Sequence, residues 1–306
     1  MPGQHLLPQP NAYHSIFRCS DGTYDWRAEL DYGWHLIDEA SCGSLAACLV
    51  ECVQGDGGIH ALPSGYLSAL HQHCRNRGML LIVDEAQTGL GRTGRMFGIE
   101  HESVVPDILT LSKPLGNGLP ISAVVTSAEI NDVCKRKGFL FFTTHGNDPL
   151  VAAVGEKVLE VVSRPHTMDN VRIRAQQLMN GLSCLKDRYA CIGDVRGLGL
   201  MAGIEIVSSR QSKEADPKLA KTLSERMLKE GLWCQLQSQR VFRIGPPLTS
   251  SEKEIEEGLN VLEKVFRSTP GTRFCSEMKG TTNGFERWSK DYTRDGNHSS
   301  SEGLCR

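Results

Sequence analysis

The sequence predicts an α/β protein, with a mostly parallel sheet in a larger N-terminal domain and a smaller C-terminal α+β domain. Three observations predict it. Short apolar runs of strand length recur through the first half, as in "LAACLVECV" (45–53), "MLLIVDE" (79–85), "DILTLSK" (107–113) and "ISAVVTS" (121–127). They are separated by helical or loop segments, as expected for buried strands in a largely parallel sheet. A length of 306 residues is enough for about two domains.

The elements follow in order. Pro63 opens a helical stretch to Gly78, with Tyr66, Leu67, Leu70 and Cys74 at helical spacing. Asp148-Pro149 sets an N-cap beside a first-turn proline, and the helix it starts runs to about Val162. A second unit begins near residue 168 with a helix and then a strand, "MAGIEIV" (201–207). Asp216-Pro217 starts a further helix that Gly231 ends, and "VFRIG" (241–245) reads as a short strand. The last helix is capped by Thr249 with Glu252 or by Ser251 with Glu254, and presents Ile255, Leu259, Leu262 and Phe266 on one face. The expected boundaries are 1–165 for the large domain, 166–266 for the small domain and 267–306 for a polar, disordered tail.

Net charge is −2 with no patch of one sign, which gives no electrostatic case for nucleic acid or an anionic membrane surface. The eleven cysteines form no C-x-x-C, and neither Cys42, Cys48 and Cys52 nor "HQHC" (71–74) has metal-ligand spacing. No metal is expected. Reduced, mostly buried thiols are expected instead, in an intracellular and specifically cytoplasmic protein, with a mitochondrial one left open. No apolar run approaches the ~20 residues of a membrane helix. The N-terminus lacks the basic start and apolar stretch of a signal peptide and reads as a loop entered partway through something larger.

The stretch "LIVDEAQTGLGRTG" (81–94) carries an acid pair, Asp84 and Glu85, at the end of a strand and then a glycine turn. Gly89, Gly91 and Gly94 spell G-x-G-x-x-G, the pattern of a dinucleotide-binding turn. The context opposes that reading: "EAQT" separates the strand from the first glycine, no helical periodicity follows, and the next strand ends in Lys113 rather than an acid. Asp84 and Lys113 taken together suggest another chemistry. Both end predicted strands, and strand C-termini face the ligand crevice of open α/β sheets. A lysine desolvated there would be nucleophilic, and a strand-end acid needs a cation. Pyridoxal phosphate asks for both, a lysine for its Schiff base and an acid opposite its pyridine nitrogen.

"LIVDEAQTGLGRTGRMFG" with "PDILTLSKPLGNGLPISAVVTS" resembles the signature of class III pyridoxal-phosphate aminotransferases. "TTHGNDPLVAAVG", "CIGDVRGLGLMAGIEIV" and "VFRIGPPLT" make the chain most similar, within that family, to the 2,2-dialkylglycine decarboxylases. The resemblance spans residues 1–266 and implies an aspartate aminotransferase-like fold, fold type I. It implies that Lys113 carries the cofactor and moves the substrate proton, that Asp84 pairs with the pyridine nitrogen, and that Gln87 lies near the phenolic oxygen. It further implies that Thr144 reaches the cofactor phosphate of a second subunit, and that Arg243 holds the substrate carboxylate. The implied activity is decarboxylation-dependent transamination between an amino acid and a keto acid, in a homodimer or dimer of dimers.

Two departures stand out. The family usually has Glu-Pro where this chain has Glu51-Cys52, and Gln54, Gly55 and Asp56 resemble ordinary aminotransferases more than the decarboxylases' serine pair. An ordinary class III (omega-type) aminotransferase is therefore the alternative. The family also has a long portion before the point matching residue 1, with a phosphate-binding loop and an aromatic residue that stacks on the ring. The expectation is an N-terminally truncated chain with the catalytic lysine but little of the cofactor clamp, so an inactive homologue is a further alternative.

Overall fold

A computed structural model of the chain describes residues 3–272 and residue 275. Helix α1 (Trp26–Ala40) is capped by Asp25, which accepts from the Ala28 N–H at 3.0 Å, and it buries Leu30, Gly33, Trp34 and Ile37. The sequence reading gave this stretch no element, although its apolar residues recur at helical spacing. Strand β1 (Ala47–Glu51) leads into a small antiparallel ribbon of β2 (Val53–Gln54) and β3 (His60–Ala61). Helix α2 (Tyr66–Asn76) starts later than Pro63 because Gly65, at φ +81°, turns the chain into it.

Strands β4 (Leu80–Asp84), β5 (Ile108–Leu111) and β6 (Ala123–Thr126) complete a sheet of order β1-β4-β5-β6. β1, β4 and β5 run parallel, and β6 returns antiparallel on β5. Leu81, Val83, Leu109 and Leu111 are buried in one core with residues of α1 and α2, whereas Leu80, Ile82 and Asp84 on the alternate positions of β4 are only partly covered. This corrects the expectation of a strand buried on both faces. In the described residues one face of the sheet is open, and Leu49 and Val124 are 65% and 69% exposed.

Helices α3 (Ala128–Arg136) and α4 (Pro149–Val162) follow, α4 with the expected Asp148 cap, whose carboxylate accepts from Leu150 N–H at 3.1 Å. Between them, Phe139, Leu140, Phe141 and Phe142 are all exposed. Helix α5 (Pro165–Arg188) opens a second core. It is completed by β7 (Ile192–Leu198), β8 (Met201–Ile206), α6 (Pro217–Lys229), β9 (Gln235–Gln237), β10 (Val241–Ile244) and α7 (Glu252–Ser268). The four strands form an antiparallel sheet of order β7-β8-β10-β9. Every residue of β8 is buried beneath Leu182, Leu223, Leu259 and Phe266 of the helices or against the neighbouring elements. Burial of each such side chain contributes about 1.5–3 kcal/mol. α5 and α7 approach closely at Gly181, where a Cβ would lie 2.3 Å from Leu259 Cδ1.

Of the two caps considered for α7, Ser251 with Glu254 forms the reciprocal box. α7 continues to Ser268, and Thr269 is buried with its hydroxyl on Val265 O, so the packed chain extends past the expected boundary at 267. The remainder of the expected disordered tail lies outside the described residues. The thiols are less buried than expected: of ten described, Cys52, Cys74, Cys191 and Cys234 are buried. Among the described residues, no three His, Cys, Asp or Glu gather as a metal site, and no helix is long and apolar enough to cross a membrane.

Candidate active site

Register alone brings the site's acids together. Glu51 on β1 pairs with Asp84 on β4, which pairs with Thr110 on β5. All three are only partly covered, and the Thr110 hydroxyl donates to Asp84 Oδ1 at 3.0 Å. The Ala86 N–H donates to the same oxygen at 2.9 Å. The fully buried member of the acid pair is the other one. Glu85 is 1% exposed and accepts from the N–H groups of Gly98 (2.9 Å) and Ile99 (2.7 Å) and from the Thr88 hydroxyl (2.5 Å). These donors answer the cost of burying its charge without a cation.

Two residues past β5, the chain enters a 3₁₀ turn (Lys113–Gly116) with Lys113 at φ +39°. A left-handed backbone costs a non-glycine residue about 1–3 kcal/mol and persists where surrounding structure imposes it. α4 packs beside this turn, where a Cβ on Gly155 would sit 3.6 Å from Leu115 O. Lys113 itself is exposed, so this chain alone does not supply the desolvation expected from sequence.

Lys113, Gln87 and Arg243 line one cleft of about 1380 Å³, together with Ala86 and Arg92. Asp84 is not among the lining residues, and it is linked to them through the hydrogen bond it accepts from Ala86 N–H. Gln87 is wedged against the loop after β2, where a Cβ on Gly55 would fall 2.4 Å from its Oε1. Among the described residues that buried oxygen has no hydrogen-bond partner. Thr144 is not brought to the cleft; it sits on the exposed segment before α4.

Three residues near the site carry chemistry that sequence reasoning did not assign. The Glu51 carboxyl is pushed up by burial, opposed by the Gly55 N–H, pushed further by Asp84 and Asp56, and eased by Lys113. Its placement at a strand end beside Asp84 was the available signal. Asp56 accepts from Arg243 Nη1 at 3.5 Å and from Gln237 Nε2 at 3.3 Å. Arg92, on the glycine turn, is desolvated, and burial with the neighbouring Arg243 charge pulls its guanidinium below the usual range.

The loop that carries Asp56 is held from the second core. Arg196 Nε donates to Gly58 O at 2.7 Å, and its Nη1 bonds Glu205 at 2.6 Å, a carboxylate with no exposure that also meets His14 Nε2 at 2.6 Å. Beside them His60 is 4% exposed. Burial first, then Arg196, pulls its imidazole down to about 4 from 6.5, against the opposing pull of Glu205 and Asp194. Between those values the unfolded chain binds the proton that the folded chain refuses, so stability falls as pH drops through this window. The urea midpoint is expected to fall between pH 7 and pH 5, and to fall less in His60→Gln. An equal fall in both proteins would refute the assignment.

A cleft that joins the Lys113 amine, from the turn after parallel strand β5, with Arg243 of the antiparallel sheet, beside strands that end in Glu51 and Asp84, suits a small anionic ligand. Residues 1–266 match the family model of class III aminotransferases, and the chain belongs to that family of pyridoxal-phosphate-dependent transaminases of fold type I. It is 46% identical over 273 residues to an uncharacterized aminotransferase of Schizosaccharomyces pombe, covering 88% of this chain and 61% of the relative. It is 36% identical to a leucine/methionine racemase of Thermococcus litoralis, covering 89% of this chain and 61% of that protein. A solved (S)-enantioselective omega-transaminase from Thermomicrobium roseum superposes with a TM-score of 0.77 at 29% identity, over 85% of this chain and 58% of that one. The chain thus spans about three-fifths of the length of these relatives. Their names include no decarboxylase, so the finer likeness to the 2,2-dialkylglycine decarboxylases rests on sequence motifs alone.

The residues present suit the ring end of pyridoxal phosphate. They offer an amine at Lys113, a carboxylate at Asp84, and at Gln87 a buried amide oxygen that lacks a donor.

Proposed function

We propose that this chain carries the catalytic half of a site for transamination between an amino acid and a keto acid. The observation that carries the reading is the single cleft shared by Lys113, Gln87 and Arg243, with Asp84 hydrogen-bonded to Ala86 of its lining. When bound, pyridoxal phosphate supplies an electron sink for the bond broken at the substrate Cα. Lys113 Nζ would hold the cofactor and serve as the base for the Cα proton. Asp84 would keep the pyridine nitrogen protonated, and the hydrogen bonds it accepts from Thr110 and Ala86 fix its carboxylate for that task. Gln87 would lie near the phenolic oxygen.

Arg243 takes the substrate carboxylate in its planar fork. In the free site it faces Asp56, whose side chain is 81% exposed. An exposed pair of this kind contributes about 1 kcal/mol or less, so an incoming carboxylate displaces Asp56 at little cost. The orientation Arg243 imposes decides which Cα bond stands perpendicular to the ring, and hence whether a proton or carboxylate leaves. Decarboxylation-dependent transamination of 2,2-dialkylglycines is the second reading, supported by the motifs from 143 to 249. Asp56, where those decarboxylases have serine, favours ordinary transamination.

Thr144 is assigned to the phosphate of a second subunit's cofactor, in keeping with its place outside this chain's cleft. Phe139, Leu140, Phe141 and Phe142 expose four consecutive apolar side chains, which suits a homodimer or dimer of dimers. Residues 1–165 and 166–266 are taken as the two domains.

Arg243→Ala is expected to lower kcat/KM for an amino-acid donor by about 10²-fold, the loss of a charged bidentate contact, and to spare the matching amine without a carboxylate. Equal losses for both donors would remove Arg243 from the role. Turnover of 2-aminoisobutyrate with carbon dioxide release, faster than turnover of alanine, would favour the decarboxylase reading.

A further inference from the structure

The glycine turn of residues 89–94 binds no nucleotide in this reading, and its function is otherwise unassigned. Its surroundings say what it touches. A Cβ on Gly91 would lie 3.1 Å from Val162, 3.2 Å from Met168 and 3.3 Å from Leu248. A Cβ on Gly199, at φ +61°, would fall 2.5 Å from Arg92 O. The turn is therefore packed against the β7–β8 hairpin and the segment that follows β10.

Arg92 occupies a specific vacancy in that sheet. β8 and β10 pair antiparallel with Ile244 opposite Ala202, so Pro246 falls opposite Leu200 at the next rung of the same phase. Ile206 N–H bonds Arg240 O at 2.8 Å at the other end, which marks the even-numbered positions of β10 as the hydrogen-bonded ones. Pro246 has no N–H to donate, so Leu200 O receives no hydrogen bond from that position and at most half of the rung could form. Arg92 closes it from outside the sheet. Its backbone oxygen accepts from Leu200 N–H at 3.0 Å, and its Nη1 donates to Leu200 O at 3.3 Å and to Pro246 O at 2.5 Å.

We propose that Arg92 is a positioning residue for Arg243. By supplying the donor that Pro246 lacks, it ties the strand bearing the carboxylate-binding arginine to the turn that follows Asp84 and Gln87, and so fixes the distance between substrate carboxylate and cofactor. The proposal rests on the reading of Arg243 given above. It explains the glycine at 199: a Cβ there would fall 2.5 Å from Arg92 O, and the backbones must come close enough for one guanidinium to reach two carbonyls.

The test uses the full chain and the variants R92A and R92A/P246A, the second of which restores an N–H at the open rung. Amide hydrogen exchange is read at residues 198–206 and 241–247, with 80–84 of β4 as the internal control. Loss of hydrogen bonds to a charged donor corresponds to about tenfold or more, so R92A is expected to speed exchange in the first two segments by that factor and to leave β4 unchanged. The double variant is expected to recover protection. The second readout is the ratio of kcat/KM for alanine to that for ethylamine, expected to fall about tenfold in R92A through KM and to recover in the double variant. Unchanged exchange in R92A overturns the proposal, as does altered exchange with an unaltered ratio. If the wild-type chain turns over neither donor, the transaminase reading fails by itself, and exchange alone then decides whether Arg92 closes the rung.

Discussion

Replacing Lys113 with alanine is expected to lower turnover of an amino acid with a keto acid by at least about 10³-fold while leaving the urea midpoint nearly unchanged. Loss of a positioned proton-transfer group accounts for 10²–10⁴ in rate by itself, and loss of covalent attachment adds to it. The stability half of the expectation follows from the structure. Lys113 is exposed, and alanine carries the same left-handed backbone penalty at φ +39° as lysine, so little folding energy changes. Steady-state kinetics with urea unfolding on the same preparations checks both halves. Residual turnover within tenfold of wild type would mean that another amine does the chemistry.

Glu85→Ala is expected to have the opposite signature, a destabilisation of about 2–5 kcal/mol, because each buried donor left without an acceptor costs about 1–3 kcal/mol. Removal of its carboxylate would strand the N–H groups of Gly98 and Ile99 and the Thr88 hydroxyl in the protein interior. The short 3₁₀ turn that begins at Gly98 would lose the side-chain acceptor of both its first two amides. Cys52, whose thiol burial and Glu85 together push up, would lose its acidic neighbour as well. The midpoint of urea unfolding measures the effect, and a loss below about 1 kcal/mol would mean that water satisfies those amides.

These two residues, Glu85 next to Asp84 at the end of β4 and Lys113 just past β5, illustrate what the sequence made legible. Asp84 and Lys113 could be read from strand-end position and the demand of one cofactor, because period and chemistry are both local. Glu85 could not be distinguished from Asp84, because which acid is buried depends on which face of β4 the helices α1 and α2 cover. That is decided by packing at a distance. The Ser251 and Glu254 box was visible as one of two candidates, and hydrogen-bond geometry chose between them. Arg92 was invisible as a functional residue because its partners, Leu200 and Pro246, lie more than a hundred residues away and contribute only backbone groups. Nothing in either segment's composition announces a missing rung. The pairing of Asp56 with Arg243 was half legible: the position was marked by its departure from the serine expected of a decarboxylase, and the contact needed the fold.

The open face of the sheet was the largest miss. Uniformly apolar runs led to an expectation of strands covered on both sides, whereas Leu49 and Val124 are exposed in the chain described. Local pattern reports what a strand is suited to touch, and the touching surface has to be present for burial to follow.

The most direct measurement is borohydride reduction of the purified chain after incubation with pyridoxal phosphate, followed by peptide mass spectrometry to locate the covalent adduct. The expected result is one dominant modified residue, Lys113, with the label lost in Lys113→Ala and weakened in Asp84→Ala. A label absent from Lys113, or spread over exposed lysines such as Lys135 and Lys157 to the same extent, would contradict the assignment of the cleft as a pyridoxal-phosphate site.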